Sequence, residues 1–343
     1  MNLIDHKNAL PPGYELDAYT IESLLGHGGF GITYLARDRL LQRPVAIKEY
    51  LPQEFAVREG GSTVVVKSNR EQDKKLYQWG LKRFVAEARN LARFNHPNIV
   101  RVLRFIEANN SAYLVMDYER GQSLQDYLER HGYGLEEQDL KAIFLPVLDG
   151  LRAVHENGLL HRDIKPHNIY LRADSSPMLI DFGSARVALG EMTRSLVVVF
   201  TPGFAPYEQY SSRGNQGPWT DVYGIGASLY YCMSGQIVPD ANERCFALLN
   251  HEPDPYRPVR SVVTGRYSDA LLDAVDATLT FHVKSRLQTV RALESRWTER
   301  EFPTRDVDQA AETRLAVADR PAKNQYATIV STKLRFLLGS PHR

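Results

Sequence analysis

The stretch LLGHGGFGITYLARD, Leu24 to Asp38, places glycines at positions 26, 28 and 31 in a G-x-G-x-x-G arrangement. Such a pattern can clamp a dinucleotide, roof the phosphates of ATP, or simply turn the chain. The residues after the glycines separate these options. In a dinucleotide-binding unit the glycines open a helix whose N-terminus holds the pyrophosphate. Here Ile32, Thr33, Tyr34 and Leu35 follow, a β-branched and aromatic run that suits a strand. The stretch therefore predicts a glycine-rich hairpin whose backbone N–H groups can close over a polyphosphate. A Walker loop is excluded, because no G-x-x-x-x-G-K-[ST] occurs in the chain.

Outward from the hairpin the pattern stays strand-rich as far as Tyr118. YTIESLLG (19–26), GITYLARD (31–38), RPVAIKEY (43–50) and AYLVMDY (112–118) each carry β-branched or aromatic residues bounded by breakers. One long helix, around GLKRFVAEARNLARF (80–94), interrupts them. After Gly121 the pattern turns helical. Ile143, Val147, Leu151 and Val154 recur at helical spacing and Gly158 is a stop signal. Further helices are expected after Asp221 and after Ser268. The fold class is α+β: a small antiparallel, strand-rich lobe with one main helix, then a larger helical lobe. A length of 343 residues is more than one growing core accommodates, which agrees with two lobes.

Residues 1–18, with Pro11, Pro12 and Gly13, read as a leader, and 299–343 as a C-terminal tail. Within the tail, 303–323 is polar and poor in aromatics, the composition of a mobile segment. YATIVSTKLRFLLG (326–339) is apolar enough to dock on a partner.

Composition narrows the function classes. Apolar residues make up 43% and charged residues 24%, ordinary for a soluble globular protein. A formal charge of +1 gives no nucleic-acid footprint and no polybasic membrane surface. No apolar run approaches the roughly 18 residues that span a bilayer, and the N-terminus lacks a secretory pattern. Two cysteines, Cys232 and Cys245, fit a reducing compartment, so a cytoplasmic location is expected. Cys232 lies in an apolar helical stretch and reads as a core thiol.

Chemistry gathers at four places. Lys48 ends VAIK, and Glu87 falls on the apolar stripe Phe84, Ala88, Leu91 of the predicted helix. A carboxylate on such a stripe needs a partner, and Lys48 is the natural candidate; the alternative is a Glu87 that merely borders solvent. HRDIKPHN (161–168) is followed thirteen residues later by DFG (181–183). Phosphoryl transfer needs a carboxylate to accept the proton of an attacking hydroxyl, and oxygen ligands for Mg²⁺. Asp163 suits the first task, Asn168 and Asp181 the second, and Lys165 can neutralise charge on the transferred group.

With these motifs in order, the chain resembles the eukaryotic-like (Hanks-type) Ser/Thr protein kinases over residues 19–298, in wording close to bacterial members. The resemblance implies a bilobal kinase fold, with an N-lobe of about 19–118 and a C-lobe of about 119–298. It implies an ATP- and Mg²⁺-dependent enzyme acting on Ser/Thr hydroxyls of protein substrates. By that likeness Leu25, Gly26, Gly28, Gly31, Ala46, Lys48, Glu87 and Met116 bind the nucleotide. Met116 gates the adenine pocket and 117–119 form the hinge. Asp163 and Lys165 are catalytic, Asn168 and Asp181 hold the metal, and Lys165 favours Ser/Thr over Tyr.

Other positions are open between two readings. Asp221 either braces the catalytic loop or stabilises a helix N-terminus. Arg286 either pairs with Glu208 of APYE (205–208) or lies on the surface. His161 reads as a packed structural histidine. Residues 184–204 occupy the place of an activation segment, where Arg162 lets a phosphate order the site. Thr193 and Ser195 are either phosphosites or hydroxyls that only make turns, autophosphorylation is expected within 193–201, and Thr201 is expected to contact the catalytic loop and the substrate backbone. Lys48 and Glu87 are 87 − 48 = 39 residues apart, longer than the family custom. The extra residues, including REGGSTVVVKSNREQDKK (58–75), form a hairpin, a regulatory flap or a plain loop. Two rival functions remain, a binding-only pseudokinase and a small-molecule kinase.

Overall fold

The structure is a computed structural model that describes residues 7–182, 201–210, 214–263 and 267–298. The chain divides into two units, Met1–Glu299 and Arg300–Arg343, and the described residues all belong to the first. The tail readings at 303–323 and 326–339 lie outside the described residues.

A six-stranded antiparallel sheet forms the first lobe, in the order β1 (Glu15–Leu16), β2 (Tyr19–Gly28), β3 (Gly31–Asp38), β4 (Arg43–Tyr50), β8 (Ser111–Asp117), β7 (Val102–Ala108). Gly28 pairs with Gly31, so the glycine stretch is a hairpin and opens no helix. Gly31 is required by close approach, because a Cβ there would lie 2.2 Å from the Glu49 carbonyl oxygen.

Period-two alternation gives this sheet two unlike faces. Cross-strand register puts Thr33, Leu35, Ala46, Lys48, Leu114 and Met116 on one face. Ile32, Tyr34, Ala36, Val45, Ile47, Glu49, Tyr113 and Val115 share the other face, and all are buried. The second face is covered by the segment read as a leader and by the insertion after β4. Leu10 and Leu16 are buried on it. The segment after Leu51 forms a two-stranded hairpin, β5 (Ala56–Glu59) and β6 (Thr63–Val66), whose Ala56 and Val64 are likewise buried. Of the three possibilities left open for this insertion, the hairpin is the one observed.

Helix α1 runs from Glu71 to Leu91, starting nine residues before the expected boundary. Glu71 and Asp73 in its first turn complement the helix dipole, a start signal that apolar periodicity alone misses. It buries Leu76, Tyr77, Phe84, Val85, Ala88 and Leu91.

The second lobe is helical. Helix α2 (Leu124–His131) begins at Ser123, which accepts from the Asp126 N–H in a capping box. Helix α3 (Glu137–Glu156) buries Ile143, Val147, Leu151 and Val154, and ends before Gly158 at φ +70°. The helix Pro218–Ser234 is buried on all sides and forms the centre of the lobe, with Cys232 in its core. Gly226 lets it cross the helix Asp269–Thr278 closely, since a Cβ there would meet the Thr278 hydroxyl at 1.8 Å. Two short strands, β10 (Ile169–Arg172) and β11 (Pro177–Leu179), together with β9 (Gly121–Ser123), bring the HRDIKPHN segment to the lobe boundary.

Candidate active site

β4 carries Lys48 on the face that also holds Thr33, Ala46 and Met116. Its ammonium lies 2.7 Å from Asp181 Oδ1, so the end of the small sheet and the start of DFG meet. Asp181 sits at φ +57°, a left-handed conformation that turns the chain just before Phe182. Glu87 is half-buried on α1, one turn along from Phe84, and it is engaged by a neighbour.

Three residues of HRDIKPHN, Asp163, Lys165 and Asn168, meet one another. Asn168 Nδ2 donates to the Asp163 carbonyl at 2.7 Å and to Asp163 Oδ2 at 2.7 Å. Both bonds fix the amide's orientation and turn its oxygen away from Asp163. Lys165 Nζ lies 3.2 Å from Asp163 Oδ2 and donates to Thr201 Oγ1 at 2.8 Å. The expected contact between Thr201 and the catalytic segment is therefore present. Thr193 and Ser195 lie outside the described residues.

His161 is fully buried and holds the segment's start. Its Nδ1 accepts from the Asp163 N–H at 3.3 Å, which leaves Nε2–H to donate to the Ile180 carbonyl at 3.0 Å. Burial holds its pKa below the usual 6.5, and the Phe182 ring packs 4.3 Å away, as expected of a structural histidine.

Asp221 lies in the first turn of the Pro218–Ser234 helix and braces the segment from beneath. It accepts from the backbone N–H groups of His161 at 2.9 Å and Arg162 at 2.7 Å, and from His155 Nε2 at 2.8 Å. Burial pushes its pKa up, but the His155 hydrogen bond and neighbouring charges outweigh this and leave it below the ordinary 3.8. The unfolded chain then binds the proton first on acidification. Stability linked to Asp221 is thus fully present above the ordinary value and is lost as pH falls from there through the lowered folded value. Unfolding free energies measured between about pH 5 and pH 3 are expected to fall with acid, and Asp221→Asn to flatten that slope.

The sequence reading missed several contributors. Tyr170 Oη donates to the Glu119 carbonyl at 3.1 Å, tying β10 to the hinge. Gln209 Nε2 donates to the Arg162 carbonyl at 2.8 Å, and His155 supports Asp221. Arg162 takes φ +67°, and its buried Nε has no acceptor among the described residues. Arg286 pairs with Glu208 at 2.6 Å inside the second lobe, as one of its two readings expects.

Space for a ligand borders these groups. Gly26 and Gly28 have open space where a Cβ would point. Beside the hinge a cavity of about 650 Å³ is lined by Leu35, Pro44, Tyr118, Glu119 and Arg172. It sits at the hinge end of the Lys48 face, and the nominated contact residues do not line it.

Comparisons with known proteins agree with this geometry. A family model described as a protein kinase domain matches residues 19–298. The serine/threonine-protein kinase PknB of Mycobacterium leprae is 33% identical over 66% of this chain and 34% of its own. Sperm motility kinase 3A of Mus musculus is 30% identical over 65% of this chain and 39% of its own. The chain spans about a third to a half of the length of such curated relatives. Among solved structures, PpkA-294 in its apo form is 36% identical with a TM-score of 0.76, covering 84% of this chain and 99% of that one.

Proposed function

Because this chain belongs to the protein kinase family, matched over more than half its length, we propose that it transfers the γ-phosphoryl group of ATP to serine and threonine hydroxyls of proteins. One observation carries the reading. The 2.7 Å pair between Lys48 and Asp181 joins the glycine-roofed sheet to the segment that holds Asp163, Lys165 and Asn168.

In this mechanism Lys48 binds the α- and β-phosphates beneath the Gly26–Gly31 hairpin, with Leu25, Ala46 and Met116 against the base. Glu87 supports Lys48 from α1. Asp163 orients the acceptor hydroxyl and takes its proton as the oxygen attacks the γ-phosphorus and the bond to the β-phosphate oxygen breaks, releasing ADP. Lys165 offsets charge on the group in transit.

Asn168 and Asp181 offer hard oxygens of the kind Mg²⁺ takes, while it keeps waters and phosphate oxygens as its other ligands. When bound, Mg²⁺ supplies charge neutralisation on the phosphates.

The reading includes a cytoplasmic place of action. No helix among the described residues is long and apolar enough to cross a membrane.

Labelled ATP with a generic protein acceptor tests the function. The wild type is expected to label protein, and Lys48→Met to abolish labelling. ATP binding without transfer would indicate a pseudokinase, and turnover without protein labelling a small-molecule kinase. Autophosphorylation is expected within residues 193–201. Mass spectrometry after incubation with ATP checks it. Full activity with 193–201 unmodified would contradict it.

A further inference from the structure

Glu49 follows Lys48 in sequence and faces the opposite side of the sheet, where its side chain is fully buried. Three chain segments besides its own strand meet at this carboxylate. Tyr34 Oη from β3 donates to Oε2 at 2.7 Å and Tyr113 Oη from β8 to Oε1 at 2.8 Å. The Arg58 guanidinium from the β5–β6 hairpin pairs with Oε2, with only 3% of its side chain exposed.

The N-terminal segment is fastened onto the same cluster. Arg58 Nε donates to the Asn8 carbonyl at 2.7 Å, and the Leu10 N–H donates to Tyr34 Oη at 3.1 Å. The hairpin is also tied to the β7–β8 turn, through Val64 N–H to the Asn109 carbonyl and Asn110 Nδ2 to the Val64 carbonyl, both at 2.8 Å. From α1, Tyr77 Oη donates to the Asn110 carbonyl at 2.7 Å.

A buried ion pair adds little net stability, because desolvation offsets its attraction; its best-attested use is to specify register. Register is what Lys48 needs. A one-residue slip of β4 would turn Lys48 into the covered face and Glu49 toward the cleft. The cluster penalises that slip heavily, since Glu49 would lose two tyrosine hydroxyls and Arg58 would be left buried without its carboxylate.

We propose that Glu49 and Arg58 are positioning residues for phosphoryl transfer, their buried pair locking the 56–66 hairpin and residues 8–10 onto the covered face and so holding Lys48 in the cleft. The inference rests on the role proposed above for Lys48.

The test uses the full chain and the double variant Glu49→Gln/Arg58→Met. This variant removes both charges at similar volume and keeps an oxygen acceptor for one of the two tyrosine hydroxyls, the other meeting the amide NH2. Circular dichroism and a cooperative melt establish that it folds. The expected result is a KM for ATP raised about tenfold, given that misplacing such a group by 1 Å can cost on the order of 10²-fold. The KM for the protein acceptor is expected to stay unchanged, and amide exchange over residues 43–50 to accelerate. Arg58→Lys, which keeps the charge, is expected to hold the KM for ATP near the wild-type value; if the double variant does not fold, Arg58→Gln, which removes the cation alone, carries the test. A wild-type KM for ATP in a folded variant that lacks the Arg58 charge, or parallel rises in both KM values, overturns the proposal. Unchanged exchange over 43–50 overturns the lock alone, whereas wild-type turnover in Lys48→Met overturns the role of Lys48 itself.

Discussion

Asp163→Asn is expected to lower kcat by about 10²–10⁴-fold, the usual contribution of a positioned general base. An amide has no basic oxygen to take the hydroxyl proton at neutral pH. It also disturbs the local network, because Asp163 Oδ2 receives both Asn168 Nδ2 and Lys165 Nζ. An asparagine that turns its amine toward these donors places N–H groups against one another, and one that turns its oxygen keeps the geometry without the charge. ATP affinity should stay near the wild-type value, since Asp163 acts on the acceptor rather than the nucleotide. Single-turnover transfer and calorimetric ATP binding measure the two effects separately. A parallel loss of both would place Asp163 in nucleotide binding instead.

Arg286→Met is expected to give the largest loss of stability. Arg286 is fully buried and donates to Glu208 Oε1 at 2.6 Å, to the Thr280 and Phe281 carbonyls at 3.0 Å each, and to the Trp219 carbonyl at 3.3 Å. Its guanidinium also lies 4.9 Å over the Tyr223 ring. Removing it leaves the buried Glu208 carboxylate with the Thr220 hydroxyl at 3.2 Å as its remaining hydrogen-bond partner among the described residues. Breaking such a pair costs about 3–5 kcal/mol. At about 2–4 °C per kcal/mol for a domain of this size, the melting midpoint should fall by about 6–20 °C. Glu208→Gln/Arg286→Met is expected to recover part of that loss, because no charge is left unpaired. A midpoint within a degree of wild type for the single variant would show the pair to be idle.

Local pattern made much of this fold legible. β-branched residues after the glycines decided hairpin over helix, and the observed strands at 31–38 and 43–50 have the expected bounds. The helical spacing of Ile143 to Val154 and the stop at Gly158 correspond to α3. The motifs that carry Lys48 and Asp181, far apart in the sequence, meet at 2.7 Å in the structure.

What stayed hidden depends on contacts between distant segments. A buried charge announces that it needs a partner but not which one. Nothing near Glu49 points to Arg58, nine residues on and across a turn, or to Tyr113 on another strand. The same holds for the leader, where Leu10 sits among prolines and a glycine and shows its burial only against the sheet. The first turns of α1 escaped because EQDKK carries no apolar residue to set a period. Tyr170 reads as one more strand aromatic until its hydroxyl is seen on the hinge carbonyl.

Calorimetric titration of ATP, with and without Mg²⁺, into wild type and Asp181→Asn tests most directly whether these residues form one phosphoryl-transfer centre. The prediction is that Mg²⁺ tightens ATP binding to the wild type by about tenfold or more and that Asp181→Asn loses this gain, one hard oxygen being removed. Equal ATP affinity with and without Mg²⁺ in the wild type, or a full Mg²⁺ gain retained in Asp181→Asn, would contradict it.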